Sequence, residues 1–465
     1  MDPRAAAKAV NNNPRPDIGL QADNRPIMSS LIPVLFFIML ILLTACPGDA
    51  GNKRSLSESP YKLRTLFVLH RHGDRTPIRT YPKDPYGDPK YWLDGWGQLT
   101  VPGKKRLYAL GQALRRRYSG FLSDNPLEVK IRSSGANRCL NSVQCLLAGA
   151  YPPTGRLVIH PDLKWQPFPV MTQPRIHDPM LNPASSCPAA ERELTQIRNS
   201  PPVVAYREKS KLLLDYLTLN TGENVTDLTT AEYIHDDLLV EGQNGYPPPA
   251  WANDKVLAEL KALSDATFVF DGMTPRIQRF RTGVFFKDLR VHLNERSQPT
   301  DPPIRKGHIY AGATEDDYPK KLHIYSTHDT MVSVVLQALG SFNRKAPPYA
   351  ATIIFEHWQH AGDNLIKVFY LNETQTERVH PLLVRGCPES GDWCHVSQFL
   401  KAMKPFIVDD WNEECNAESE DDNLIGNHCY AKPKPKHADL LLEPRINDPV
   451  DHDRCSRKSS KGSFH

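Results

Sequence analysis

The chain has 465 residues, of which 40% are hydrophobic and 24% are charged, a balance that is ordinary for a folded globular protein. This length suffices for one large domain, or for a core domain that carries a sizeable insertion. The formal net charge of +4 is small for such a chain and gives no case for a nucleic-acid partner.

The first predicted element is a targeting segment. Leu31 to Cys46 is an almost purely apolar run of 16 residues, shorter than the ~18 that a membrane-spanning helix needs. Small residues follow it at Gly48–Ala50, as in a cleaved signal peptide. We predict that residues 1–50 are an N-terminal extension with a signal peptide, and that cleavage leaves no stable membrane span. A retained signal anchor is the alternative, favoured by the long stretch before Met28.

The cysteines fit secretion into an oxidising compartment. Eight of the nine lie beyond Cys46, and this even number allows as many as four disulfides. The sequence contains no CxxC pair and no Cys/His cluster with zinc spacing, so we predict no metal site. Asn224 and Asn372 each begin an Asn-x-Thr motif and are predicted to be glycosylated.

An α/β core is predicted from strands that alternate with helices. A continuous apolar run at Leu63–His70 is typical of a buried parallel strand, and a helix follows at about Lys104–Tyr118, after Thr100 and Pro102. A second helix is expected at Met331–Leu339. The further predicted strands are Glu128–Arg132, Leu157–His160, Leu322–Ser326, Ala351–Trp358 and Leu365–Leu371.

The middle of the chain has helical apolar spacing and few strand signals. The predicted helices there include Lys211–Leu219, Val256–Leu263 and Arg279–Leu293. We therefore predict an α/β fold with a three-layer core, a mostly parallel sheet and an inserted, mainly helical subdomain. The catalytic core would comprise residues 51–182 and 296–415, and the subdomain, residues 183–295, would cap the site. Residues 416–465 are predicted to be an irregular C-terminal tail.

The first strand ends in the heptapeptide RHGDRTP, residues 71–77. Ligands in open α/β sheets bind beyond the carboxyl ends of strands, so this motif lies where chemistry is expected. The guanidinium groups of Arg71 and Arg75 match phosphate oxygens, and their charge favours a neutral His72 that can attack. Gly73 would let the backbone turn close to a ligand. A structural loop histidine between solvated arginines is the alternative.

A second cluster ends another apolar strand. His328 and Asp329 precede the predicted helix at Met331–Leu339, whose N-terminus favours anions. A cationic His328 could hold a phosphate oxygen, and a protonated Asp329 could donate to a leaving alkoxide. An ordinary helix cap is the alternative role for Asp329. Arg138, which follows the strand predicted at Glu128–Arg132, offers one more guanidinium.

The heptapeptide, Arg138 and the His328-Asp329 pair together resemble the histidine acid phosphatases, a branch of the phosphoglycerate-mutase-like superfamily. Residues Trp96–Thr100 and the helix end at Leu114–Tyr118 are similar to the animal lysosomal and prostatic acid phosphatases in particular. The resemblance extends from about Lys62 to Cys415.

The resemblance implies that His72 is the nucleophile and Asp329 the general acid of a metal-independent phosphomonoesterase that needs no cofactor. It implies that the phosphate is bound by Arg71, Arg75, Arg138 and His328. Small-molecule or phosphoprotein phosphomonoesters are the expected substrates, the secreted or lysosomal lumen is the expected location, and a homodimer is allowed.

The resemblance also implies two disulfides, Cys187–Cys415 and Cys387–Cys394. A third pair of the family is missing at both ends, which leaves the pairing of four cysteines open. They are Cys139, Cys145, Cys429 and Cys455. On one helix, Cys139 and Cys145 would be ~9 Å apart, too far to bridge each other. Cys139 also replaces the small hydroxyl residue that usually follows the third arginine in this family.

The expected reaction is two-step phosphoryl transfer, in which His72 displaces the alcohol while Asp329 protonates it, and water then hydrolyses the phosphohistidine. One rival is a secreted phospho-ligand scavenger that has kept the fold and lost the chemistry, although both key residues are intact. Within enzymes, a phytase or a lysophosphatidic acid phosphatase would share every catalytic residue. The choice of substrate would depend on the helical insertion and on the loop Tyr81–Tyr91.

Overall fold

The computed structural model describes residues 60–295, 320–372, 378–390 and 393–416. The predicted targeting segment, the tail beyond residue 416, and both Cys429 and Cys455 lie outside these residues. Within them, no helix is both long and apolar enough to cross a membrane.

Strand β1, Lys62–Arg71, is central because its side chains are buried on both faces of the sheet. Successive side chains of a strand point to opposite faces. Phe67 and Leu69 accordingly lie in one hydrophobic core, whereas Leu66 and Val68 lie in another on the opposite face. The strand predicted at Leu63–His70 is confirmed.

The sheet is mixed and has the order β3-β2-β4-β1-β5-β6-β7, with β8 paired to β6. Its other strands are β2 Val129–Ser134, β3 Met171–Gln173, β4 Leu322–Thr327, β5 Thr352–His360, β6 Asp363–Leu371, β7 His380–Pro381 and β8 Cys394–His395. Strands β3, β2, β4 and β1 are parallel, and they form the part of the sheet that bears the site. Strands β5 to β8 extend it with antiparallel pairs.

Eleven α-helices occur among the described residues. They are α1 Val101–Arg117, α2 Asn137–Ala150, α3 Pro188–Arg198, α4 Pro201–Lys209, α5 Lys211–Thr221, α6 Leu228–Gln243, α7 Asp254–Phe270, α8 Pro275–Glu295, α9 Asp329–Leu339, α10 Val396–Met403 and α11 Trp411–Asn416. Helices α1 and α2 cover one face of the sheet, and α8, α9 and α10 cover the other. The α/β fold class with a three-layer core is therefore confirmed.

The helical part of the chain has a hydrophobic core of its own, formed mainly by α3 and α5 to α7. The disulfide between Cys187 and Cys415 lies in this core. Helix α8 belongs to both parts, because Ile277 and Phe280 pack in the helical core and Phe285 and Phe286 pack against the sheet. The exact boundaries given for the subdomain stay a prediction.

One predicted strand, Leu157–His160, is wrong. The chain makes a single turn of 3₁₀-helix at Gly155–Leu157, and Val158 and Ile159 are 42% and 61% exposed. Their apolar character suggested a buried strand, but no sheet covers them. The edge of the sheet is formed instead by β3, which pairs with β2.

The contact between α1 and α2 depends on the absence of a side chain at Gly111. A Cβ atom there would lie 2.0 Å from the carbonyl oxygen of Leu146 on α2, so the two backbones could not stay at this separation. By contrast, Gly242 lies exposed on α6, and a Cβ atom added to it would meet nothing within 4 Å.

We expect Gly111→Ala to lower the free energy of unfolding by roughly 2–3 kcal/mol, because α1 and α2 must move apart. Gly242→Ala is the matched control and should instead raise it by about 0.5–1 kcal/mol, as alanine favours an exposed helix. Urea unfolding of the three proteins measures both changes. Equal effects at the two positions would contradict the close approach.

Candidate active site

Three parallel strands bring the predicted residues to one edge of the sheet. His72 follows β1, His328 follows β4, and Arg138 lies in the first turn of α2, shortly after β2. Strand β4 pairs with both β1 and β2, and Arg71 is in register with Thr327. The carboxyl ends of these strands therefore meet, as open α/β sheets require for a ligand site.

His72 presents one free ring nitrogen. Its Nδ1 lies 2.9 Å from the carbonyl oxygen of Gly73, and a carbonyl can only accept, so Nδ1 carries the proton. The Nε2 atom then keeps its lone pair. Burial, together with Arg138, Arg71 and Arg75, lowers the pKa of His72 well below its ordinary value. The ring is therefore neutral, as a nucleophile must be.

Gly73 lies against helix α1, where there is no room for a side chain. A Cβ atom there would lie 2.7 Å from both the carbonyl oxygen of Gly103 and the side chain of Leu107, which belong to α1. The close approach of α1 therefore excludes a side chain at Gly73, and an approach of its backbone to a ligand stays a prediction. The N–H of Gly73 donates to Ser142 Oγ on α2 at 3.0 Å, which fixes the loop after β1.

Arg71 pairs with Asp329 across the strand ends, at 2.6 Å between Nη2 and Oδ2. Its other terminal nitrogen donates to the carbonyl oxygen of Pro347 at 2.5 Å, and its guanidinium lies over the ring of Tyr349. Burial by itself would raise the pKa of Asp329, but Arg71 and Arg75 outweigh it and hold this pKa below its ordinary value. Asp329 is thus a carboxylate in the unliganded site.

Arg75 is held by a partner that the sequence analysis missed. Its Nη2 donates to both carboxylate oxygens of Asp236, at 2.9 and 2.8 Å, and the arginine is only 5% exposed. Asp236 lies on α6, in the helical part of the chain. The only hint in the sequence is an acidic pair, Asp236-Asp237, in the middle of helix α6.

Arg138 and His328 contact each other beside His72. Arg138 Nη2 donates to His328 Nδ1 at 3.4 Å, and Nε2 of the same ring donates to Ser134 Oγ at 2.9 Å. Burial and Arg138 lower the pKa of His328 well below its ordinary value. The cationic His328 of the sequence analysis is therefore absent from the unliganded site, because burial and three nearby arginines, Arg138, Arg175 and Arg71, oppose its charge. The Sγ atom of Cys139 lies 3.8 Å from its Nε2.

Asp74, the carboxylate inside the heptapeptide, points away from this cluster. Arg106 on α1 donates to its two oxygens, at 2.6 and 2.9 Å. The backbone oxygen of Asp74 accepts from Thr100 N and Oγ1 at the start of α1. Asp74 thereby ties the loop after β1 to the helix that covers it.

A cavity of about 230 Å³ lies at the carboxyl ends of the parallel strands, beside His72 and His328. His72, Arg75, Arg138, His328 and Asp329 line it on the sheet side. The helical subdomain supplies the opposite wall. One further arginine, Arg175, lies just after β3 and also lines the cavity. The lining residues that the sequence analysis did not single out include Arg175, Glu232, Tyr233, Asp236 and Asp271.

Glu232 and Arg175 add a buried carboxyl group and a guanidinium to the lining of this cavity. Burial, with the Asp236 and Asp329 carboxylates, raises the pKa of Glu232 well above its ordinary value, so it is protonated. Arg175 follows β3 at the same sheet edge. The sequence did not predict its place in the site, because it did not predict this short strand. In the described part of the chain, no group of three or more His, Cys, Asp or Glu side chains could hold a metal ion.

The disulfide cysteines and the two glycosylation candidates do not line the cavity. Disulfides join Cys187 to Cys415 and Cys387 to Cys394, with Cα–Cα distances of 4.9 and 5.2 Å, and Cys139 and Cys145 are free thiols. Asn224 is exposed and Asn372 is half-buried. Glycosylation of either asparagine stays a prediction.

Comparisons with known proteins agree with this geometry. Lysosomal acid phosphatase from Homo sapiens is 35% identical over 362 residues, which cover 77% of this chain and 81% of that protein. Prostatic acid phosphatase from Bos taurus is 31% identical over 399 residues, covering 84% and 96%. The phytase from Citrobacter braakii shares the fold, with a TM-score of 0.57, 19% identity, and coverage of 76% of this chain and 99% of that one.

The family model described as "Histidine phosphatase superfamily (branch 2)" matches residues 62–371, which include β1, the heptapeptide, the helical subdomain and the His328-Asp329 pair. The match covers well over half of the chain and every residue of the cluster described above. The chain therefore belongs to branch 2 of the histidine phosphatase superfamily, a family of phosphomonoesterases.

Proposed function

We propose that this protein is an acid phosphatase that hydrolyses phosphate monoesters through a phosphohistidine at His72, with Asp329 as the general acid. The observation that carries the proposal is a neutral, buried His72 whose free Nε2 faces a cavity lined by Arg75 and Arg138. Attack of Nε2 on phosphorus forms the N–P bond and breaks the bond to the leaving oxygen. Water then attacks phosphorus, releases inorganic phosphate and frees the nitrogen.

The buried arginines supply the electrostatic part of catalysis. Their forked donors match the oxygens of a phosphoryl group, and burial strengthens the interaction because little water screens it. Burial and its cationic neighbours lower the pKa of Arg138 to about 10, so that it keeps its charge near pH 5. A phosphate in the cavity would therefore meet fixed positive charge without any reorganisation.

The proton for the leaving group must arrive with the substrate, since Asp329 is ionised in the unliganded site. A phosphate ester has a second pKa of about 6, so that near pH 5 it is mainly a monoanion and brings one proton. Its oxygens compete with Asp329 for Arg71. The loss of that partner and the added negative charge raise the pKa of Asp329, which can then take the proton and donate it to the departing oxygen.

We propose that the substrates are small-molecule or protein phosphomonoesters and that the protein acts in the secreted or lysosomal lumen. Relatives named lysosomal and prostatic acid phosphatases support this location. The homodimer that the resemblance allowed, the lack of a cofactor and the lack of a nucleic-acid partner stay predictions.

We expect His72→Ala to lower kcat for p-nitrophenyl phosphate by at least about 10³-fold without loss of folding, since the nucleophile is removed. His160→Ala, at an exposed loop position, is the matched control and should keep full activity. Alkaline quenching of wild type with ³²P-labelled substrate should trap label on His72. Label on another residue, or activity abolished by EDTA and restored by zinc or magnesium, would refute the mechanism.

We expect the imidazoles of His72 and His328 to show no protonation step near pH 6.5, the ordinary histidine pKa, because burial and the neighbouring arginines lower their pKa values well below it. ¹⁵N NMR of histidine-labelled protein measures this, with His72→Gln and His328→Gln used for assignment. In urea both rings should titrate near 6.5. A native-state transition of His72 near that pH would show that the ring is not held neutral.

Asp329→Asn should slow hydrolysis of an alkyl phosphate by about 10²–10⁴-fold, because a poor leaving group must be protonated as it departs. Hydrolysis of p-nitrophenyl phosphate should suffer much less. Asp74→Asn is the control carboxylate, and since Asp74 only orients the loop through Arg106, it should affect both substrates to a similar degree. The general acid is assigned wrongly if Asp74→Asn, and not Asp329→Asn, shows the dependence on leaving group.

A further inference from the structure

A second cavity adjoins the active-site cavity on the side of the helical subdomain. Its volume is about 450 Å³, within the size range of small-molecule sites. Four residues, Thr229, Tyr233, Thr267 and Asp271, line both cavities. The second cavity therefore lies directly beside the active-site cavity, and the catalytic mechanism does not use it.

The floor of the second cavity is apolar. Ile197 on α3 and Val203 on α4 are buried there, and Phe270, at the end of α7, completes this surface. These side chains belong to the core of the helical subdomain, so they form a fixed surface. Such a surface favours an aliphatic or aromatic body over a sugar or an inositol ring.

Two arginines at this cavity lack strong partners. Arg198, at the end of α3, is exposed and has no carboxylate partner among the described residues. Arg207 on α4 is 3.9 Å from Glu208, a residue that is itself 64% exposed, so this pair is weak. Arg79 differs from both, since it pairs with Glu223 and lies over the ring of Tyr233.

The two carboxylates that line the same cavity are already engaged. Asp227 caps α6 and accepts from both the backbone N–H and the hydroxyl of Thr230, at 2.9 Å each. Asp271 lies 3.8 Å from Arg281. The cavity therefore keeps two available cationic groups above an apolar floor, and it has no equally available anion among its described lining residues.

We propose that this cavity binds the leaving group of the substrate, and that it selects phosphomonoesters whose leaving group has an apolar body ending in an anion. Arg198 and Arg207 would receive the anionic end, which a carboxylate or a second phosphate can supply with the same chemistry. The proposal rests on the proposed function, because it assigns the substrate class of that same active site.

The test uses two phenyl phosphates, each with a two-carbon chain at the para position. In one compound the chain ends in a carboxylate, and in the other it ends in the neutral carboxamide. Wild type should have a kcat/KM about tenfold higher for the carboxylate, mainly through a lower KM. A hydrogen bond between the carboxylate and one of the two arginines accounts for a difference of this size. In the double variant Arg198→Gln/Arg207→Gln this ratio should fall to near one. Lys209→Gln removes one positive charge from α4 outside the cavity and should keep the wild-type ratio.

Three outcomes separate the two proposals. If wild type does not hydrolyse unsubstituted phenyl phosphate, the proposed function is overturned. The carboxylate preference can then still be measured from the binding of the matching benzylphosphonates, which cannot be hydrolysed. If wild type hydrolyses phenyl phosphate but has the same kcat/KM for the carboxylate and the carboxamide compounds, only the proposed leaving-group site is overturned. A preference that survives the double variant, or is lost in Lys209→Gln, would also overturn it. Running the carboxylate against a terminal phosphate of equal length identifies which anion the two arginines favour.

Discussion

The whole site depends on the burial of positive charge at the carboxyl ends of three parallel strands. Arg71 and Arg75 are each less than a tenth exposed, and Arg138 contacts His328 beside them. A buried charge without a partner is costly, and removing one partner of a buried ion pair costs about 3–5 kcal/mol. The fold meets this cost with Asp329 for Arg71 and Asp236 for Arg75. Each carboxylate is therefore structural before any substrate is present.

This constraint explains why the helical subdomain and the sheet must pack together. Asp236 lies on α6, and the pair that it forms with Arg75 joins residues 161 positions apart in the sequence. Helix α8 contributes side chains to both hydrophobic cores and fixes the two parts relative to each other. The disulfide Cys187–Cys415 then links the start of α3 to the end of the described chain. A cap held in this way can present charged groups to the cavity at defined positions.

The sequence predicted the half of the site that is local. An apolar strand followed by RHGDRTP, and another followed by His328-Asp329, place their residues by the general rule for open sheets. The partners of those residues were not predictable, because neither the acidic pair at Asp236 nor the sequence around Tyr349 identifies an arginine more than 150 residues away as the contact. The strand predicted at Leu157–His160 failed for a related reason. Apolar composition indicates burial, and only the tertiary structure shows whether a neighbouring strand is there to provide it.

The charge balance of the unliganded site also explains how a carboxylate with a lowered pKa can act as an acid. In the empty site, Asp329 neutralises Arg71 and must be ionised to do so. In the proposed mechanism, a phosphate monoanion takes over that neutralisation with its own oxygens, so that two negative groups then compete for one guanidinium. Ionised Asp329 is the weaker competitor, because the phosphate can reach Arg75 and Arg138 as well. Protonation removes the repulsion between them, and the proton is available from the substrate itself. In the proposed mechanism, the residue that stabilises the buried charge before binding thus becomes the acid only once its structural task has passed to the substrate.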